Sequence, residues 1–312
     1  MIMQMKKKCF LFEGQGTQFP GMGRDIYQSF EAAKEVFALG SQVTGIDLVK
    51  LCHETKEEEL NRTNNAQLAV FTVSMAIFSV LEKEFSIPDF YAGFSLGECS
   101  ALCAAGVVSI EDGFEIIKKR GEVMQNCALS QKGAMYAIIG LDDEIVEEIC
   151  ADAKGYVTAA NYNCPMQLVI AGDEDSAEKA ANECIKKGAA RAVRLPVSGA
   201  FHTKHMQQAA QQFYEYLKGV KFSKPKGIVY SNVYQGEIND FSVMPEYLAK
   251  HIISPVRWKM EIGRIIETSN PVFYELGCSK TLSGFNRKID KNAVTYNLSA
   301  AGAIKGLIGG EK

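Results

Sequence analysis

Imidazole and indole are scarce in this 312-residue chain, which has four histidines and one tryptophan. A metal centre or a general base therefore has few places to stand. The histidines are His53, His202, His205 and His251. His202 and His205 have the spacing of a ligand pair, but no third ligand cluster accompanies them, so no metal is expected. Excess charge of one sign is missing as well: the net charge is −3, which argues against nucleic-acid binding by bulk electrostatics. The nine cysteines are scattered without metal-type pairs, pointing to reduced thiols in a cytoplasm and away from a disulfide framework. Cys99 and Cys103 share a helix face and read as small buried apolar groups. Behind Lys6-Lys7-Lys8 the apolar run Cys9 to Phe12 ends in glycines, too short for a signal peptide or a membrane span. Repeats, low-complexity tracts and long linkers are also missing. What remains is ordinary globular composition, 47% apolar and 23% charged, in a chain long enough for one large domain or for a large domain plus a small one.

What is present centres on Tyr91-Ala92-Gly93-Phe94-Ser95-Leu96-Gly97-Glu98-Cys99-Ser100. Phe90 to Phe94 predicts a buried strand and Leu96 to Ala105 a helix ended by Gly106. Ser95 falls on the corner between them. Gly93 and Gly97 remove the Cβ atoms that would block a sharp strand-to-helix turn, which leaves the hydroxyl exposed as a nucleophile. The same turn aims the Leu96 N–H and the positive helix end at an oxyanion beside Ser95. The alternative is a Gly-rich corner whose serine caps the helix.

Lys8 to Phe12 reads as the first strand, running into the turn Glu13-Gly14-Gln15-Gly16-Thr17-Gln18. A phosphate loop is disfavoured because no Gly-Lys-Ser/Thr follows. Either the Gln15 N–H is a second oxyanion donor, or this is a plain strand–helix loop. Ile26 to Gly45 reads as helical and amphipathic, and Ala66 to Phe85 as a buried helix. Lys56 to Glu59 is a solvated charge run, His53 lies in a charged surface stretch, and Gln67 either lines a site or caps a helix. Ser109 and Asp112 form a capping box for a helix to about Cys127. On it Arg120 lies beside an inward stripe of Ile110, Phe114, Ile117 and Met124. Such an arginine needs an anion: a carboxylate held at two points, or a local partner such as Glu98 or Glu122.

From about Gly133 to Val197 the pattern is β-α-β-β-α-β, the order of a ferredoxin-like unit inserted in a larger α/β domain. Its loop Asn161-Tyr162-Asn163-Cys164-Pro165 holds amides that either form a turn or line a site. Directly after the unit, Gly199-Ala200-Phe201-His202 puts a histidine where a general base would sit. Strands at Gly227–Ser231 and Val272–Leu276, with helices at Pro245–His251 and Trp258–Thr268, return the chain to the large domain.

These residues together resemble the malonyl-CoA:acyl carrier protein transacylases, over nearly the whole chain. Five motifs recur in the family's order: Phe12 to Gln18, Gly93 to Glu98, Arg120 to Gln125, Gly199 to His202, and Pro255-Val256-Arg257-Trp258. The resemblance implies an α/β-hydrolase-like core with a mostly parallel sheet, residues 1–131 and 198–312, and an inserted ferredoxin-like subdomain, residues 132–197. It implies Ser95 as nucleophile, His202 as base, the Gln15 and Leu96 N–H groups as oxyanion hole, and Arg120 as clamp for a malonyl carboxylate. Gln67, Met124, Asn161, Asn163 and Phe201 are the expected substrate-binding residues, and His251 the residue whose backbone carbonyl orients His202. No bound cofactor is implied. The expected substrates are malonyl-CoA and the phosphopantetheine thiol of acyl carrier protein, an acidic transient partner for which Lys186, Lys187, Arg191 and Lys204 form a candidate basic patch. A cytoplasmic monomer is the default, with no nucleic acid and no membrane. Alternatives are an acyl hydrolase or a trans-acting polyketide acyltransferase of the same fold, a malonyl-CoA sensor, and a generic esterase. Departures from the family pattern are Phe94 for the usual histidine, Glu13 for proline, Thr17 for serine, His251 for glutamine, and Cys278-Ser279 for Pro-Gly.

Overall fold

The large sheet is built outward from its most hydrophobic strand. In the computed structural model, which describes residues 6–197 and 199–310, strand β1 (Lys8–Phe12) has its last four side chains buried. A parallel strand covered on both faces has no polar side, so it reads as a continuous apolar run. Its parallel neighbours are β2 (Phe90–Gly93) and β9 (Val272–Leu276). With β7 (Ile228–Ser231), β8 (Gly236–Glu237) and β10 (Thr295–Asn297) they complete a six-stranded sheet of order β10-β9-β1-β2-β7-β8. Only the β7–β8 pair is antiparallel.

The second sheet is antiparallel. It comprises β3 (Gly133–Ile139), β4 (Val157–Cys164), β5 (Gln167–Asp173) and β6 (Arg191–Arg194) in the order β4-β5-β3-β6. Helices Asp143–Ala151 and Glu174–Lys186 pack on it around a separate apolar cluster that includes Ile138, Leu168, Ile170 and Ala177. This is the ferredoxin-like order expected from the sequence pattern. Ser198, where the chain was expected to return to the core, lies outside the described residues.

Several elements differ from expectation. The Ile26–Gly45 run is two helices, Arg24–Ser29 and Glu31–Thr44, because Phe30 is extended (φ −132°, ψ 128°) and packs on the core. His53 is not on a charged surface. It ends the helix Leu48–His53, buried between the rings of Tyr27 and Phe37. Glu57–Leu60 forms a further short helix. The Asn161–Pro165 segment is strand as far as Cys164 rather than loop, because it is bonded on two sides. β5 takes one edge, and on the other Val256 donates to the Ala160 carbonyl while Tyr162 donates to the Val256 carbonyl, both at 2.8 Å. This stitch ties the small sheet to the core just ahead of Trp258. Helix Thr63–Glu84 is long and apolar enough to cross a membrane, but its side chains are spent on the core. It carries a fully buried Gln67 into the middle of the molecule.

Candidate active site

The corner residue between β2 and the helix Leu96–Ala104 has a backbone that few side chains tolerate: Ser95 sits at φ 52°, ψ −109°. Its flanking glycines are sterically required. A Cβ on Gly93 would meet the backbone of Gly97 and Glu98, and one on Gly97 would meet the backbone of Phe12 and Glu13. The hydroxyl does not cap its helix. It donates instead to His202 Nε2 at 2.7 Å.

His202 is buried and itself at positive φ (61°), on the loop between β6 and the helix Gln207–Leu217. Its Nδ1–H donates to the carbonyls of Ser254 (3.0 Å) and His251 (3.2 Å). Carbonyls only accept, so the proton is on Nδ1 and Nε2 is free to accept from Ser95. The His251 carbonyl was expected from sequence; the nearer Ser254 carbonyl was not. Burial, and then the Arg120 charge, lower the His202 pKa from 6.5 to about 4.

Arg120 comes from the helix Ile110–Ser130, which opens on the Ser109–Asp112 side-chain pair read from the sequence. It is 1% exposed, and among the described residues it makes no ion pair. Glu122 points to solvent, and the buried Glu98 is committed elsewhere. Arg120 Nη1 donates to Gln67 Oε1 at 2.8 Å, and Nη2 reaches Ser95 Oγ at 3.4 Å. Arg120 Nε has no partner among the described residues. Gln67 in turn donates to Gln15 Oε1 (3.4 Å) and to Met124 Sδ (3.5 Å). The carboxylate that steadies it is the buried Glu98, too far for an ion pair, and a buried guanidinium without a directly bonded carboxylate against a serine hydroxyl is a site for an anion.

The N–H groups of Gln15 and Leu96 are taken by no acceptor among the described residues. A cleft of about 350 Å³ opens beside Phe94, between the Gly14–Gln18 turn, Asn161 and Asn163 of β4, and Thr281 and Phe285. The side-chain carbonyls of Asn161 and Asn163 are buried without partners among the described residues. Phe94 turns its ring edge-on to Trp258 and packs against Phe285, so its apolar side chain closes one wall. Phe201 is buried immediately before His202. Among the described residues no group of His, Cys, Asp and Glu is arranged for a metal. His205 faces Asp173 instead, at 3.0 Å.

Sequence reading missed the support beneath this site. Asn232, fully buried at the end of β7, accepts the Ser95 N–H (2.8 Å) and donates to the Gly93 carbonyl (2.8 Å) and to Glu261 (2.7 Å). Its own N–H donates to Glu98 (2.8 Å), which also receives the Tyr247 hydroxyl. Burial raises the Glu98 pKa to about 7 and Glu261 well above the usual carboxylate range. The available signal was position, since ligand sites in parallel α/β sheets gather at the carboxyl ends of strands.

The described acyl transferase domain family matches residues 9–288. The malonyl CoA-acyl carrier protein transacylase of Bacillus subtilis is 37% identical over 298 residues, covering 95% of this chain and 94% of that protein. The crystal structure of MCAT from Streptococcus pneumoniae superposes with a TM-score of 0.91 at 37% identity, covering 97% of this chain and all of that one. A malonyl-transacylase solved in complex with a type II PKS acyl-carrier protein superposes at 0.94 and 32% identity, covering 98% of this chain and 100% of that one. The protein is thus an acyltransferase. Within that class the chain belongs to the malonyl CoA-acyl carrier protein transacylase family.

Proposed function

We propose that this enzyme moves a malonyl group from malonyl-CoA to the phosphopantetheine thiol of an acyl carrier protein, through a malonyl ester on Ser95, and so supplies fatty-acid elongation. The observation that carries this reading is Arg120: a buried guanidinium with no directly bonded carboxylate among the described residues, 3.4 Å from the Ser95 hydroxyl. Neutral His202 takes the Ser95 proton as Oγ attacks the thioester carbonyl, and the developing oxyanion is held by the Gln15 and Leu96 N–H groups. The C–S bond then breaks, and CoA leaves as the thiol with the proton from His202. In the second half the carrier's thiol gives its proton to His202 and attacks the ester, and Ser95 recovers the proton as it leaves. The His251 and Ser254 carbonyls hold the imidazole in the tautomer both halves need.

Arg120 accounts for choice of acyl group. A substrate without the carboxylate leaves the guanidinium unpaired, which is the costly kind of mismatch. Gln67 accepts from Arg120 and is itself bonded to Met124 Sδ, so the pair holds the guanidinium, while Asn161 and Asn163 line the cleft. Residues 132–197 form the small subdomain of this reading, with the exposed Lys186, Lys187, Arg191 and Lys204 as the surface for an acidic carrier. The enzyme works as a cytoplasmic monomer without a bound cofactor.

Intact-protein mass after brief mixing with malonyl-CoA tests the reading. A malonyl adduct that requires Ser95, forms poorly from acetyl-CoA and is discharged by a holo carrier protein is expected. Loss of the adduct to water faster than to the carrier would favour an acyl hydrolase, and no adduct from any acyl-CoA would leave a sensor.

A further inference from the structure

Two of the departures from the family pattern, far apart in sequence, meet in space. Glu13 is fully buried at the end of β1. Its carboxyl accepts the Cys278 N–H at 2.6 Å, the Ser279 N–H at 3.0 and 3.1 Å, and the Ser279 hydroxyl at 2.5 Å. The usual proline at 13 has no carboxyl to accept these bonds, and the usual proline at 278 has no N–H to make one. The two replacements therefore form one unit, in which a new acceptor is matched by new donors. Contact is close: a Cβ on Gly277 would strike the Glu13 side chain.

Both ends of this clasp lead to the site. Beyond Glu13 the chain turns at Gly14, where a Cβ would fall 2.5 Å from the Phe94 carbonyl oxygen, and continues to Gln15. The turn is thus wedged between the residue before Ser95 on one side and the 277–279 segment on the other. Beyond Ser279, whose hydroxyl also meets Thr281 Oγ1 at 2.8 Å, the chain enters the helix Thr281–Ile289, and its Thr281, Leu282 and Phe285 wall the cleft.

We propose that Glu13 is a positioning residue for acyl transfer: by clasping Cys278 and Ser279 to the end of β1 it sets where the Gln15 N–H stands relative to Ser95. This rests on the reading of Gln15 as an oxyanion donor. An oxyanion donor acts on the transition state more than on the bound thioester, so loosening the clasp slows acylation without weakening malonyl-CoA binding. A purely structural clasp would lower the melting temperature and leave the folded enzyme's rate alone.

The test measures the single-turnover rate of malonyl-enzyme formation, malonyl-CoA Kd and melting temperature for the unaltered protein, Glu13→Gln, Glu13→Pro, and the triple variant E13P/C278P/S279G. Glu13→Gln is near-isosteric but turns an N–H₂ towards backbone donors. It and Glu13→Pro are expected to slow acylation by up to about a hundredfold, the cost of a misplaced catalytic group, at unchanged Kd. The triple variant removes the orphaned donor at 278 and the Ser279 hydroxyl, and is expected to regain the rate. Acylation by Glu13→Gln at the unaltered rate would overturn the proposal, as would a triple variant no faster than Glu13→Pro. Should Glu13→Pro not fold, Glu13→Gln decides alone. If the unaltered protein forms no adduct, the transacylase reading fails and the clasp's catalytic role falls with it; an adduct formed equally fast by Glu13→Gln sinks the clasp only.

Discussion

Asn232 holds the Ser95 N–H at 2.8 Å through its side-chain carbonyl, from a position 137 residues away. The same oxygen faces His251 Nε2 at 3.3 Å, and the amide N–H₂ is divided between the Gly93 carbonyl and Glu261. One side chain therefore ties the strained nucleophile corner to the helix whose carbonyl orients His202. A backbone held at φ 52° persists only where its surroundings over-determine it.

Replacing Asn232 by alanine is expected to leave the Ser95 N–H and a Glu261 carboxyl oxygen without partners. Each buried group orphaned in this way costs about 1–3 kcal/mol. The expected outcome is a lower melting temperature together with slower formation of the malonyl adduct, because the corner relaxes and Ser95 Oγ leaves the 2.7 Å contact with His202. Asn232→Asp is expected to be worse still, since it sets a third carboxyl beside Glu98 and Glu261. Differential scanning calorimetry and adduct mass spectrometry read the two effects separately; an Asn232→Ala enzyme with unchanged melting and acylation would remove the supporting role.

Arg120→Ala is expected to lower kcat/KM for malonyl-CoA by roughly ten- to a hundredfold, from the loss of charge-assisted hydrogen bonds worth about 1.5–3 kcal/mol. Acetyl-CoA should lose much less, so the preference between the two acyl groups collapses. Arg120→Lys keeps a charge but lacks the planar fork, and Gln67, placed to take Nη1 at 2.8 Å, would no longer fix it. Competition between the two thioesters under both variants measures the preference directly, and an intact preference in Arg120→Ala would show that the carboxylate is read elsewhere.

The acid limb of the pH profile follows from His202. The base must be neutral to accept the Ser95 proton, and its pKa is lowered to about 4, first by burial and then by Arg120. Protonation therefore begins only as pH falls towards 4, and kcat/KM should stay level from pH 8 down to about 5 before dropping tenfold per unit below about 4. An unshifted imidazole would lose half its activity at 6.5. A bound malonyl carboxylate offsets the Arg120 charge, so the acid limb of kcat should lie above that of kcat/KM. Identical limbs for both, or a limb near 6.5 in kcat/KM, would contradict the assignment of causes.

Much of this architecture is written in local pattern. The β1 run, the Gly93–Gly97 frame around Ser95 and the β-α-β-β-α-β rhythm each need only neighbours in sequence to be read, and β1 and β9 coincide with their expected bounds. What escaped reading depends on distant partners. Asn161 and Asn163 resemble turn formers until Val256 arrives to extend β4, and His53 looks solvated until Tyr27 and Phe37 close on it. The Glu98–Asn232–Glu261 support is made of polar residues whose burial no local pattern announces. Arg120 lies between these cases: its need for an anion is legible from the helix face, and the lack of a carboxylate bonded to it among the described residues, with Glu98 turned to Asn232 and Tyr247, is not.

We propose that acyl size is felt through Phe201. It is buried, and it precedes His202 on a loop held by the Thr203 hydroxyl, which donates to the Ala200 carbonyl at 2.7 Å. That hold fixes the backbone that carries the phenyl ring, which packs in the apolar core. A single extra methyl group in a closed apolar pocket is worth about 1–3 kcal/mol. Phe201→Ala is therefore expected to raise kcat/KM for methylmalonyl-CoA relative to malonyl-CoA by roughly ten- to a hundredfold, while the requirement for a carboxylate, set by Arg120, is retained. Measuring malonyl-, methylmalonyl- and acetyl-CoA side by side separates the two selections. A variant that admits acetyl-CoA as readily as methylmalonyl-CoA would mean that Phe201 holds Arg120 in place and does not gauge the branch.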